Sequence, residues 1–182
     1  MITNIEQMKD LNVKTLKWFQ PNGWVDTFEL RDGDKLIATM KISGIWGDRA
    51  IVEAGDKKWI LQRPGVFSWN INIQDTNTNS IIGCVKKFLW RNDELEIFGQ
   101  GKYKVKWFNF WAQKWGIVDN VNRKVVLFSS YGKGFKDFFR HQSIVEIMSD
   151  FQELPTLIIM ICAVWYFHIL EAKAAAAAAA GS

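Results

Sequence analysis

Few residues in this chain have the types and spacing that chemistry requires. His141 lies near Asp137, Ser129 and Ser130 in sequence. A hydrolytic triad needs these three kinds of group, but also a nucleophile on a sharp strand-to-helix turn, and no such signature surrounds either serine. Gly99-x-Gly101-Lys102 and Gly132-Lys133-Gly134 resemble phosphate loops in composition. A phosphate loop must open a helix after a strand, and neither does, so both read as hairpin turns. Two histidines and two cysteines at scattered positions do not make a zinc site, and the acidic residues lack the spacing of a calcium loop. No cofactor or metal is expected, and the chain reads as non-enzymatic. The competing reading is an enzyme using one open end of the fold through Asp137, His141 and His168.

The strongest chemical signal is charge. Residues 1–85 hold ten basic and ten acidic side chains, whereas residues 86–140 hold twelve basic and five acidic. Lys102, Lys104 and Lys106 alternate with Tyr103 and Val105, so on a strand all three project from one face. Lys86, Lys87 and Arg91 flank a neighbouring hairpin, and Lys133, Lys136 and Arg140 share a segment with Phe135, Phe138 and Phe139. Cations beside aromatic rings suit anionic lipid headgroups, since charge attracts phosphate and rings enter the interface. These nine cations are the candidate ligand-binding set. A solvated face that discourages aggregation is the plainer reading. An unidentified protein partner stays open, and nucleic acid, held by stacking, ranks below lipid.

The elements that must position these residues are strands. From Phe28 to Ser130, short β-type runs are separated by turn residues, among them Asp32-Gly33-Asp34, Gly55-Asp56, Asp75 to Asn79, Gly99 to Gly101, and Asp119 to Asn122. Turn signals recurring about every 8–12 residues, with no helical periodicity between them, indicate an antiparallel all-β fold. Trp69, Ile71 and Ile73 alternate with Asn70 and Asn72, giving one buried and one wet face. Ile73-x-Asp75 and Ile117-x-Asp119 each begin the same hairpin unit, in which Asp can accept hydrogen bonds from turn amides.

Near the C-terminus the pattern changes. Ser143 to Ser149 reads as a last strand, and Asp150 or Gln152 as the cap of a helix with Pro155 at an early position. The helix is expected at about 153–172 and is apolar without a break from Leu157 to Phe167. A helix apolar on all sides is either buried or in a membrane. The many hairpins need something to fill their interior, so burial is favoured; a transmembrane tail over 154–170 is the alternative. One domain is expected over residues 1–173, with Ala174 to Ser182 an appended tail. Cys84 and Cys162 read as two buried thiols in a reducing compartment. With Glu6 and Asp10 in a non-apolar N-terminus, no secretory signal is read, and a cytoplasmic location, peripheral at the membrane, is expected.

The Phe28-Glu29-Leu30 stretch with Gly33, the Ile-x-Asp turns at Asp75 and Asp119, Gly83, Gly101-x-Tyr103 leading to Trp107, the Ser143–Met148 strand and Leu154-Pro155-Thr156-Leu157 together resemble the tubby C-terminal-like superfamily. Within it the chain looks closest to small bacterial LURP-one-related and phospholipid scramblase-like proteins. The resemblance covers most of residues 18–170 through pattern and spacing. It implies a closed antiparallel barrel of about twelve strands around a central hydrophobic helix. Members of that superfamily include phosphoinositide binders and proteins linked to lipid scrambling. The chain lacks the scramblases' Pro-rich and Cys-rich extensions and their metal-binding segment.

Overall fold

Asp75 and Asp119 show how the turns are made. The Asp75 carboxylate accepts hydrogen bonds from the amides of Asn77 at 2.7 Å and Thr78 at 3.3 Å. Asp119 accepts from Val121 at 3.0 Å and Arg123 at 2.8 Å. Each carboxylate satisfies turn amides that no strand partner reaches, which reverses the chain on itself.

The computed structural model describes residues 15–21, 26–44, 47–65, 68–88, 92–109, 114–130, 143–148 and 154–180. Twelve strands follow one another: β1 (Thr15–Phe19), β2 (Thr27–Asp32), β3 (Lys35–Ser43), β4 (Arg49–Ala54), β5 (Lys57–Gln62), β6 (Ile71–Asp75), β7 (Ser80–Lys86), β8 (Asp93–Ile97), β9 (Gly101–Asn109), β10 (Lys114–Val118), β11 (Lys124–Ser130) and β12 (Ser143–Ile147). Among the described residues one helix, α1, spans Leu154–Ala180. Each strand pairs antiparallel with the next, and β12 returns to β1 with Leu16 opposite Val145, closing a barrel. Closure leaves no unpaired strand edge to recruit another chain.

Side chains alternate in and out along most strands, whereas β10 is buried throughout from Trp115 to Val118. Leu16 and Trp18, Phe28 and Leu30, Val52 and Ala54, Ile71 and Ile73, and Val126 and Phe128 are buried, while their strand neighbours are less so, apart from Val125 at a register shift. Gly83 faces Ile97 where β7 and β8 approach closely, and a Cβ there would sit 2.5 Å from the Glu96 carbonyl oxygen. Only glycine tolerates that approach without a shift.

The helix occupies the interior. From Leu157 to Leu170 every side chain is buried except His168, which is partly so. The residues lie on all sides of α1 and meet the inward faces of the strands in one core. Its length and apolarity would also suit a bilayer, but 72% of that window is enclosed by the protein. Helices must satisfy their own backbone groups, and Pro155 in the first turn loses no intrahelical bond. The alanines extend α1 to Ala180, beyond the expected limit near residue 172, because alanine has the best helix propensity even where Ala175–Ala179 are exposed and bury nothing.

Two points differ from the sequence reading in detail. The strand containing Ile71 and Ile73 starts at Ile71, leaving Trp69 outside it and 44% exposed with the Arg63 guanidinium 5.6 Å over its ring. β1, not anticipated, closes the barrel. Asp150 and Gln152, the expected caps, lie outside the described residues.

The barrel has two distinct ends. At the hairpin end lie the tight turns β2–β3, β4–β5, β6–β7, β8–β9 and β10–β11, and α1 begins there, its Thr156 hydroxyl accepting from Gln100 at 3.0 Å. At the loop end, the Tyr166 hydroxyl donates to the Gly47 carbonyl at 2.5 Å and Lys173 pairs with Asp26 at 2.9 Å. These contacts hold both ends of the enclosed part of the helix.

Candidate functional site

The charge asymmetry of the sequence becomes a property of one wall. Among the described residues, β1–β6 and their connections carry eight cations and eight carboxylates, whereas β7–β11 carry eight cations and four carboxylates. Strand alternation sends Lys86 outward from β7, Glu94 and Glu96 from β8, and Lys102, Lys104 and Lys106 from β9. The register sets Cys84, Glu96 and Lys102 in one row and Lys86, Glu94 and Lys104 in the next.

The two glutamates therefore sit between lysines. Lys86 Nζ is 2.9 Å from Glu96 Oε2, and Lys102 Nζ lies 3.6 Å from Glu94 and 3.7 Å from Glu96. The Lys86 hydrogen bond, opposed by desolvation and reinforced by Lys102, holds the Glu96 carboxyl below its ordinary range. The Lys86 ammonium is stabilised in turn, chiefly by Glu96. Lys106 donates to Asn122 Oδ1 at 2.6 Å, which leaves its charge uncompensated by that contact. Further along the wall, Arg123 pairs with Asp119 at 2.7 Å, and Lys124 sits 4.9 Å above the Phe108 ring. Exposed pairs of this kind contribute little individually, so an incoming anion competes with weak contacts.

Lys87 stands apart from the others. It turns toward the barrel's loop end, where it pairs with Glu171 of α1 and lies 3.6 Å from Asp93. The Phe167 ring centroid is 5.4 Å away. Burial opposes its charge, but the two carboxylates outweigh burial and raise its pKa. Its role here is to tie the helix to the β7–β8 connection. The structure thus brings Lys86, Lys102, Lys104 and Lys106 together and separates Lys87 from them. Arg91, Lys133, Lys136 and Arg140 lie outside the described residues, as do Asp137, His141 and the Gly132–Gly134 segment.

Sequence reasoning missed the countercharges Glu94 and Glu96 and the additional cations Lys114, Arg123 and Lys124. The signal for the first pair was available. Asp93–Ile97 and Gly101–Asn109 are joined by a three-residue turn, which places Glu96 opposite Lys102.

The remaining chemistry-bearing groups are occupied structurally. His168 stacks on Trp115 at 4.6 Å, with Trp107 at 5.6 Å and Trp165 at 5.9 Å. Cys84 and Cys162 are buried and unbonded, and burial pushes both thiols up, away from the reactive thiolate. Among the described residues, no group of three or more His, Cys, Asp and Glu side chains is arranged to hold a metal ion.

Fold and surface together define a closed twelve-stranded antiparallel barrel, filled by one apolar helix and cationic on one wall. No family model matches the chain, and no curated protein or solved structure does either.

Proposed function

We propose that this protein is a non-enzymatic binding module whose β7–β11 wall engages anionic phospholipid headgroups. The observation that carries the reading is the confinement of the cation excess to that wall, against an even balance on β1–β6. Headgroup phosphates are met by ammonium groups on a rigid sheet, so binding needs no rearrangement of the barrel. Lys102, Lys104 and Lys106 project in one line from β9 and form its centre. The barrel-with-helix architecture is the one that the tubby-like resemblance implies, and that superfamily includes lipid-associated members.

The test is partitioning onto vesicles of phosphatidylcholine alone and of phosphatidylcholine with phosphatidylserine, across a salt series. Binding should require the anionic lipid and weaken as salt rises. Each lysine near the surface is worth about 1 kcal/mol, or about fivefold in affinity, so Lys102→Glu/Lys104→Glu/Lys106→Glu should lower binding more than a hundredfold. Equal partitioning onto both vesicle types would overturn the reading.

A further inference from the structure

A second asymmetry lies at the hairpin end. On the β2–β5 side the turn tips are Gly33-Asp34 and Gly55-Asp56, and the β6–β7 tip is Thr76 to Asn79. On the other side large apolar residues stand in water. Ile81 is 49% exposed, Phe98 51%, Val121 68% and Met148 53%. Phe98 donates its amide to the Ile82 carbonyl, which sets it beside Ile81 at the start of β7. Met148 donates to Val125, which follows the turn carrying Val121. The four residues thus follow the rim from β7 to β12, an arc of about 24 Å at the usual strand spacing.

This arc borders the cationic wall. Lys102 follows the Phe98 turn, and Arg123 and Lys124 follow Val121. Among the described residues, two independent features of composition, apolar tips and excess cations, therefore fall on one side of the barrel's hairpin end and neither on the other. At the loop end Trp69 lies beneath Arg63 and Trp107 against Trp115 and His168, so these two exposed rings are already engaged. Exposed apolar groups beside cations are what a bilayer surface accommodates, the charges at the headgroups and the side chains in the acyl boundary.

Resting on the headgroup reading above, we propose that the hairpin-end rim inserts into the bilayer. Phe98 and Val121 enter the acyl boundary while the β9 lysines hold phosphates, so the barrel meets the membrane tilted, β8–β11 side down. The occupant is an anionic lipid bilayer, identified by charge complementarity with the adjoining wall. The same surface would bind a soluble acidic partner without any insertion.

The native cysteines are buried, so a thiol introduced by Val121→Cys can be labelled selectively with an environment-sensitive fluorophore. Asp56→Cys on the opposite side of the same rim is the control. With phosphatidylserine-containing vesicles, the label at 121 should shift to the blue and the label at 56 should not. Phe98→Ser and Val121→Ser should each lower affinity about tenfold without changing the salt dependence. Both positions are exposed, and an unchanged melting temperature checks that the fold is kept. Salt-sensitive binding with no shift at 121 and no loss in the serine variants would overturn insertion while leaving the headgroup reading intact. Binding indifferent to lipid charge would instead overturn the headgroup reading, and the insertion proposal with it.

Discussion

The Trp165 indole of α1 stacks on Trp18 of β1, with ring centroids 5.7 Å apart and planes 9° apart. Trp115 continues the stack from β10 at 6.0 Å, and Phe128 of β11 lies 4.1 Å from Trp115. The helix is thereby clamped against the strands that bracket the barrel's closure. Neither the Trp18 nor the Trp165 indole N–H has a hydrogen-bond partner among the described residues. Both rings therefore contribute through area and stacking, offset by two unmet donors. Trp165→Ala should cost about 3–5 kcal/mol in urea unfolding. Trp165→Phe should cost well under half of that, because it keeps a ring and removes an unmet donor. Equal losses for the two variants would show that the N–H is satisfied in solution.

Tyr166 is the polar anchor of the helix. Its hydroxyl reaches the Gly47 carbonyl in a buried setting, and burial raises its pKa far above the ordinary phenol value. Tyr166→Phe would leave that carbonyl without its partner, at a cost of about 1–3 kcal/mol. The check is a lowered midpoint of chemical unfolding with an unchanged slope. A slope change would mean that the loop end opens in the native state.

Two carboxyls make the barrel acid-sensitive. The Glu96 carboxyl is held below its ordinary 4.5. The Asp119 carboxyl is held below its ordinary 3.8, because bonds from the Arg123 side chain and the turn amides outweigh its desolvation. A carboxylate lowered on folding contributes stability that is complete above its unfolded value. That stability drains as pH falls through the folded value. Unfolding midpoints should therefore decline from about pH 5 downward. Glu96→Gln with Asp119→Asn should flatten that decline, and an unaltered slope would contradict the assignment.

Ala163 sits fully buried in α1. Ala163→Asp would place a carboxylate in the core with no partner, so the whole barrel should lose at least about 4 kcal/mol. Loss of cooperative unfolding, read by near-ultraviolet circular dichroism, is the expected result. A variant that kept its melting temperature would show that the helix can leave the barrel without unfolding it.

Much of this architecture was legible because it is local. Asp75 and Asp119 announced their turns, since the bonds they make lie within four residues. The apolar circumference of Leu157–Phe167 announced an enclosed helix. β1 went unread although Leu16 and Trp18 alternate with Lys17 and Phe19, because five residues give a weak signal and one of its two pairing partners, β12, lies over 120 residues away. The lysine line on β9 was legible from period-two spacing. The diversion of Lys87 was not, because its partner Glu171 is 84 residues distant. Nor was the apolar rim, since Ile81, Phe98, Val121 and Met148 become neighbours around one end only after the barrel closes.

The helix that fills the interior follows all twelve strands in the chain. On the ribosome, every inward-facing residue from Leu16 to Val145 is made before the segment that covers it. At about 5–20 residues per second, the first strands wait roughly 10–30 s for their core. A nascent chain in that interval is a row of hairpins with an uncovered apolar face. The strands must then wrap a helix already forming, rather than admit it through a closed end. Stalling synthesis near residue 150 should therefore yield a chaperone-bound species, and release of the last thirty residues should convert it to the closed barrel.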